Sequence, residues 1–399
     1  YNSRPTAVIL ILVPFFSPAA PETEKQGELY HSASLHDIIK QQQHSKGAQG
    51  GATAAEKYTQ GGNTALNQTF SDKMRWLSVL GAVAMLMTHA STLQFYPAAG
   101  AWEIWAVQIG TELAVPAVAW FFFSAGYWLF RSLTKQQILP RLKRRFFSLV
   151  VPYFAWNTLV LAAECLLRVC KHEAIPDSIF LMAYRPITPV NGALWFVARL
   201  AGYVVLLPLL YPVLRQRHLS APLVAVAAVL CVYACPDYYS FFYWLPVFCM
   251  GGFIALHGRE RLEKHLGQKG WLPWPVVLLV YVLLIVLAHP AMQAGGQSIY
   301  LVRVASIPIL IALAALADCP RAKGWFWAQI SFFMFCTHWY IEALLCGKLA
   351  AWLPQTMPGA AFVCYVLLCG ITMALSCGAL RLMHRFAPRT LAFLMGNRG

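Results

Sequence analysis

The chain has 399 residues, enough for two or three water-soluble domains, yet 59% of them are hydrophobic, only 12% are charged and the mean hydropathy is +0.55. A soluble fold of this length needs far more polar surface, which excludes that class, and fourteen Trp, seventeen Tyr and twenty-four Phe fit aromatic residues at bilayer interfaces as well as in a core. The net charge of +15 lies in short runs between long apolar stretches and forms no extended face, so it sets membrane orientation and does not call for a nucleic-acid partner.

Residues 1–73 differ from everything after them. Positions 6–16 form an apolar run too short to span a bilayer and similar to the apolar part of a signal peptide. The following 22–73 is rich in Gln, Gly, Ala, Thr and Ser and lacks the apolar content to build a core. The first methionine is Met74, directly before an apolar stretch, so the native protein is expected to start there and 1–73 to be a gene-model extension. A cleaved or disordered leader is the alternative, and no function is assigned to this region.

From Met74 onward ten apolar segments have membrane-spanning length. They are 76–96, 105–130, 146–168, 193–214, 220–236, 241–257, 272–289, 299–317, 326–350 and 359–383. The basic residues fall on alternate connections: Lys73 and Arg75, then 131–145, Arg215 and Arg217, 259–269, Arg321 and Lys323, and the tail with Arg385, Arg389 and Arg398. The other connections carry little beyond Lys171, Arg185 and Lys348. By the positive-inside rule both ends are cytoplasmic and the span number is even. The prediction is an all-α polytopic membrane protein of about ten transmembrane helices with both termini inside, its single integral domain covering 74–399. Eleven Cys lie scattered in apolar segments with no CxxC pair and no Cys/His spacing, which gives neither a disulfide framework nor a metal site.

Ionisable groups at membrane depth mark functional sites by default, and His89, Glu112, Glu164, Arg199, Arg303, His338 and Glu342 are the candidates. Their alternative role is to pair with one another and hold the bundle together. His89 follows the uncharged run 79–88, where a neutral imidazole takes a proton from a hydroxyl, orients an acceptor oxygen, or serves as a hydrogen-bonded packing group. Arg75, Ser78 and His89 fall on one helical stripe, with Ser78 about three turns before His89. In the 121–127 segment, Phe-Phe-Phe-Ser-Ala-Gly-Tyr, Ser124 and its small neighbours admit a close helix or a thin substrate chain. Arg141, Lys143, Arg144 and Arg145 precede Val-Pro-Tyr at 151–153. On charge alone they read as orientation and anionic-lipid contacts, the alternative being the phosphates of an anionic cofactor. The 191–196 segment, Asn-Gly-Ala-Leu-Trp-Phe, brings Trp195 to the outer face with Arg199 one turn deeper, and Trp195 there also fits an interfacial anchor. The run 331–338 puts the second imidazole, His338, into the ninth span.

In this order the segments resemble the membrane-bound acyltransferase family known as acyltransferase type 3, over about 74–398. The resemblance is carried by Trp76-Leu77 leading to His89, the Phe-Phe-Phe-Ser-Ala-Gly-Tyr segment, the Arg-rich loop into Val-Pro-Tyr, and Leu194-Trp195-Phe196. Tyr243-Trp244-Leu245-Pro246 with Gly251-Gly252, the run to His338, and Met-Gly-Asn-Arg at 395–398 complete it. It implies about ten spans with both ends cytoplasmic. It also implies transfer of an acyl group, most often acetyl from acetyl-CoA, onto a hydroxyl or, less often, an amino group of an envelope glycan, a lipid-linked sugar or a small molecule, in a bacterial inner membrane. His89 then matches the family's first-span histidine and is the expected catalytic residue, with His338 as orienter or second proton carrier. The family's usual Arg ten residues before that histidine is replaced by Ser78, and Arg75 is the residue expected to bring a guanidinium near the same point.

The expected chemistry places acyl-CoA, a donor substrate and not a tightly bound cofactor, with its phosphates on Arg141, Lys143, Arg144 or Arg145 and with Arg75 and Ser78 on the donor side. Ser124, Trp195, Arg199 and Arg303 are the substrate-binding candidates, an arginine among them stabilising the oxyanion. A ping-pong route through an acyl-enzyme is equally compatible. The rival readings are a secondary transporter or flippase, for which Glu112, Glu164 and Glu342 suit proton coupling, and a family member that binds without catalysing. Membrane lipids are the remaining expected partner.

Overall fold

A stretch of some twenty apolar residues in lipid must satisfy its backbone N–H and C=O groups within itself, and a helix does so without help from a neighbour. The structure is a computed structural model that describes residues 54–90, 92–186, 189–234 and 237–396. Chain contacts divide it after Thr59. Of the first unit only 54–59 is described, as the opening of a helix, and the expectations for 1–53 lie outside the described residues. The second unit, Gln60–Gly399, holds every other element.

The first half of the chain contains α1 (Ala54–His89), α2 (Ala101–Glu112), α3 (Val115–Phe130), α4 (Ile138–Cys170) and the short α5 (Asp177–Met182). Then come α6 (Trp195–Val205), α7 (Leu207–Arg215), α8 (Arg217–Ala234), α9 (Phe241–His257) and α10 (Arg259–Gly267). The last part has α11 (Trp274–Gln293), α12 (Gly296–Leu316), α13 (Trp325–Trp352), α14 (Ala360–Phe386) and α15 (Pro388–Leu394). Two-residue strands β1 (Leu272–Pro273) and β2 (Ala317–Asp318) pair in parallel, Leu272 with Ala317, and tie the foot of α11 to that of α12.

Eight helical segments are long and apolar enough to cross a bilayer alone, and counting two bent pairs gives ten. Each of the ten coincides with one predicted segment. Three departures have local causes. The fourth span, expected to be continuous over 193–214, bends by 65° between α6 and α7, where Pro208 in the first turn of α7 has no N–H to offer the preceding turn. Behind α9 the chain turns by 90°, so that the charged α10 leaves the line of the span. The first helix ends at His89, short of the expected 96, and Thr92 then donates to the Ala361 carbonyl at 3.1 Å.

The boundary expected after Lys73 falls inside α1. Phe70 packs on Tyr127 and Trp128, Asp72 accepts from the Ala322 N–H at 3.2 Å, and the buried Lys73 ammonium donates to the Gln268 and Ala315 carbonyls, both at 2.9 Å. These bonds gather the basic connections at one end of the bundle. Arg131 and Arg259 meet Glu263 there at 2.6 and 2.9 Å, the Tyr127 hydroxyl donates to the same carboxylate, and Tyr211 reaches the Leu133 carbonyl.

Helices α3 and α9 form the centre. The span containing α3 is 72% buried against 11% for α8, which lies at the rim of the bundle. Between helices in lipid the attraction is chiefly close packing, so small residues decide how near two backbones come. A Cβ built on Gly126 would overlap the Phe248 carbonyl oxygen, and one on Gly251 would overlap that of Phe123. The phenylalanines of the 121–123 run fill the flanks, Phe122 stacking on Trp244 at 5.0 Å. Of the two possibilities raised by Ser124, Ala125 and Gly126, the close helix is realised at Gly126.

Candidate active site

His89 closes α1 and is half-buried. Its ring lies 5.3 Å from that of His338, centroid to centroid, and 4.7 Å from Trp339, which it meets edge-on at 78°. His338 sits midway along α13 and is wholly buried. Its Nδ1 lies 3.1 Å from the Met334 carbonyl one turn back. A carbonyl oxygen only accepts, so Nδ1 carries the proton and Nε2 keeps a lone pair, which has no hydrogen-bond partner. The two imidazoles therefore differ. One is partly accessible, and the other is sealed with its tautomer fixed by the backbone. No hydrogen bond joins the two in this arrangement, and their contact is ring against ring at 32°.

The surroundings hold this pair in place. Asn191 donates from Nδ2 to the Cys336 carbonyl at 2.8 Å and from its own backbone to Asn157 Oδ1 at 3.1 Å, while Asn157 donates to the Tyr153 carbonyl at 2.9 Å. This chain of amides fastens α4 and the start of the fourth span to α13 two residues before His338. Next to it, a Cβ on Gly192 would come within 2.7 Å of the Trp339 indole. Gly192→Ala is therefore expected to displace Trp339 from His89 and to lower the thermal midpoint. Thermal unfolding of the purified variant in the same detergent as wild type checks this.

A cavity of ≈260 Å³ opens among α1, α3, α4, α6 and α13. Its wall includes Ser78, Ser124, Ser148 and Ser331, the rings of Phe196 and Phe335, and one charged side chain, Arg145. Ser78, Ser124 and Ser148 direct their hydroxyls to backbone carbonyls of their own helices, at 3.0, 3.1 and 2.9 Å. Phe335 belongs both to this wall and to the histidine neighbourhood, 5.9 Å from His338. The cavity thus reaches from the basic end toward the imidazole pair. A separate groove of ≈170 Å³ beside Trp76, Trp274 and Tyr281 is almost wholly apolar, and neither histidine lines it.

The structure divides the predicted site residues. His89 and His338 meet, and Ser78, Ser124 and Arg145 share the cavity. Arg75 does not join them. Its guanidinium donates to the Ala322 carbonyl at 2.7 Å and lies 3.8 Å from Asp72, because the connection before α13 offers free carbonyls on that side. Arg141 donates to the Leu129 and Arg131 carbonyls at 3.1 and 2.7 Å and caps the C-terminal end of α3. Lys143 and Arg144 are exposed and do not line the cavity. Trp195, Arg199 and Arg303 form a group of their own around the 238–239 turn. Trp195 lies 5.2 Å from both tyrosines, Arg199 donates to the Tyr239 carbonyl, and Arg303 sits 4.6 Å above Tyr238 and donates to the Tyr243 hydroxyl. Neither arginine lines the cavity, so neither is poised over a reacting carbonyl there. This aromatic group connects to the histidines through Trp195, Phe196, Phe335 and His338, each ring within 6.3 Å of the next.

Sequence reasoning gave no role to Trp339, Asn157 or Asn191. An amide side chain within an apolar span was the available signal for Asn157, since a polar group there requires a partner.

Comparison with known proteins adds one finding. Residues 72–381 match the family model described as an acyltransferase domain, type 3, whereas no curated protein and no solved structure matches the chain. The match covers most of the chain and takes in both histidines, Ser78 and Arg145, so this multi-pass helical protein belongs to the type 3 family of membrane acyltransferases.

Proposed function

We propose that the protein moves an acyl group, acetyl by the resemblance to its family, from acyl-CoA to a hydroxyl of an acceptor, with an amino group the lesser alternative. The donor enters at the basic end, which the positive-inside rule makes cytoplasmic, and extends along the cavity from Arg145 to Phe335. The acceptor approaches from the other end, past the aromatic group around Trp195 and Tyr239. Envelope glycans, lipid-linked sugars and small metabolites have the hydroxyl that this requires, and a bacterial inner membrane provides both faces.

His89 accepts the hydroxyl proton as the oxygen attacks the thioester carbonyl. The C–S bond breaks, and the proton passes to the departing thiolate to give free CoA. A small turn of the His89 ring would let its N–H donate to the unpartnered Nε2 of His338 and so fix its orientation, while Met334 holds His338 in the required tautomer. The observation that carries this reading is the contact of half-buried His89 with sealed His338 beyond the inner end of the cavity. From Met74, His89 is about 22 Å along the helix, beyond the midplane of a typical bilayer.

Incubation of purified protein in nanodiscs with radiolabelled acetyl-CoA and a membrane glycan extract tests the proposal. Protein-dependent label transfer with stoichiometric free CoA is the expected result. Movement of a glycan or metabolite across the membrane without thioester loss would favour transport instead. Because Arg145 is the one cation among the described residues of the cavity wall, Arg145→Gln is expected to raise the KM for acyl-CoA about tenfold with kcat little changed. Arg75→Ala, whose side chain is held at Ala322, should leave that KM within about twofold. Equal effects of the two substitutions would remove the cavity as donor site.

A further inference from the structure

Of the eight spans that cross alone, α8 is the least buried, and it leans on α7, α9 and α12. Its fit against α7 and α9 is incomplete. A groove of ≈530 Å³ runs between the three helices, from Leu214 past Leu223 to Ala234. Leu214, Cys231 and Cys249 are buried at its floor, whereas Leu223 and Phe242 on its rim are 48% and 66% exposed. The wall carries no charge, amide or hydroxyl, and its Cys231 thiol donates to the Phe242 carbonyl at 3.5 Å. From Leu223 to Ala234 the wall rises about 16 Å along α8, close to the depth of one hydrocarbon leaflet.

The two ends of this groove differ in charge. At the α7–α8 corner Arg215 follows the wall residue Leu214, and Arg217 opens α8. Both side chains are exposed, and neither forms an ion pair among the described residues. Other cations of the same basic end are paired, Arg131 and Arg259 with Glu263 and Lys269 with Asp318. The 233–240 connection at the far end has no Lys or Arg and one acid, Asp237. An unpaired positive corner joined to an apolar trough complements one anionic head on a hydrocarbon chain. A second copy of this chain fits less well, and so does a helix of another membrane protein. By the positive-inside bias, their own flanking cations would come to lie against Arg215 and Arg217.

We propose that this groove is a lipid site, which takes one acyl chain of an anionic phospholipid from the cytoplasmic leaflet and holds its phosphate on Arg215 and Arg217. The chain supplies the dispersion contacts that α7, α8 and α9 do not make with one another, and so fastens α8 to the bundle. The phosphate accepts charge-assisted hydrogen bonds from the two guanidiniums. No wall residue is shared with the Arg145 cavity, so the site stands or falls separately from acyl transfer.

The test adds phosphatidylglycerol or phosphatidylcholine of identical chains to the delipidated full chain in a mild detergent. Native mass spectrometry and the thermal midpoint are read together. The expected result is one phosphatidylglycerol retained per protein at about tenfold lower concentration than phosphatidylcholine, with a higher midpoint. Arg215→Gln combined with Arg217→Gln should erase that preference, and both positions are exposed enough for the variant to fold. Ala227→Trp, which fills the trough, should abolish retention of either lipid. Glycerol 3-phosphate, a head without chains, should neither be retained nor raise the midpoint. Equal retention of the two lipids by wild type would overturn the proposal, as would a preference that survives loss of both arginines. Retention untouched by Ala227→Trp would place the lipid on the general surface and overturn the groove. A dimer mass that displaces the lipid would give the groove to a second copy instead.

Discussion

Alanine at His89 is expected to lower acyl transfer by about 10²–10⁴-fold, the range for loss of a general base. The KM for acyl-CoA should stay within about twofold, because His89 does not line the cavity proposed for the donor. His338→Ala should cost less in kcat, about tenfold to a hundredfold, since an unoriented His89 still has its lone pair. The double variant should be hardly worse than His89→Ala, as two groups acting as one unit lose their effect together. Single-turnover transfer of label from acetyl-CoA measures all three. An order reversed between the two histidines would make His338 the base and His89 its support. The present arrangement argues against that, because His338 is wholly buried while His89 retains access.

The second large effect is on the fold. Gly126→Val and Gly251→Val should each abolish recovery of a folded, monodisperse protein from the membrane. The added Cβ meets a backbone carbonyl, Phe248 in one case and Phe123 in the other, and a carbonyl inside a helix cannot swing aside as a side-chain tip does. Forcing α3 and α9 apart uncouples the most buried span from its partner and loses dispersion contacts along both. Even Ala is expected to destabilise by about 1–3 kcal/mol or more. Gly370→Ala on α14 is the control, since nothing lies within 4 Å of its would-be Cβ, and it should leave recovery unchanged. Size-exclusion profiles and thermal midpoints in one detergent give the comparison. Normal recovery of Gly126→Val would mean that the α3–α9 approach is not what the protein adopts.

The spans were legible because a bilayer imposes one length and one backbone solution on them. The bend near Leu206 was not anticipated, although Pro208 within the apolar run was a sign of it. The meeting of His89 with His338 was not, because which helix ends adjoin depends on packing far apart in the chain. Which arginine of the basic cluster enters the cavity was half-legible. Arg141 and Arg145 share a stripe of α4 with Leu149 and Lys143 lies on the far side, but Arg144, one turn from both Arg141 and Ser148, is not separated from them by helical spacing. That Arg141 then caps α3 depends on where the free carbonyls of Leu129 and Arg131 come to rest. Arg75 was assigned by stripe alone. The stripe is correct, but a long side chain goes where an acceptor awaits it, and the acceptor is Ala322.

The proposed mechanism seats the donor in the Arg145 cavity with its thioester presented to His89. A structure of the protein with a thioether analogue of acetyl-CoA, which binds but cannot transfer, is the decisive experiment. The predicted result is density from Arg145 past Ser148 to Phe335, with the sulfur about 4 Å from the His89 ring and room for an acceptor oxygen between them. An analogue seated in the apolar groove beside Trp274, or one whose sulfur ends near Ser78 and far from His89, would contradict it.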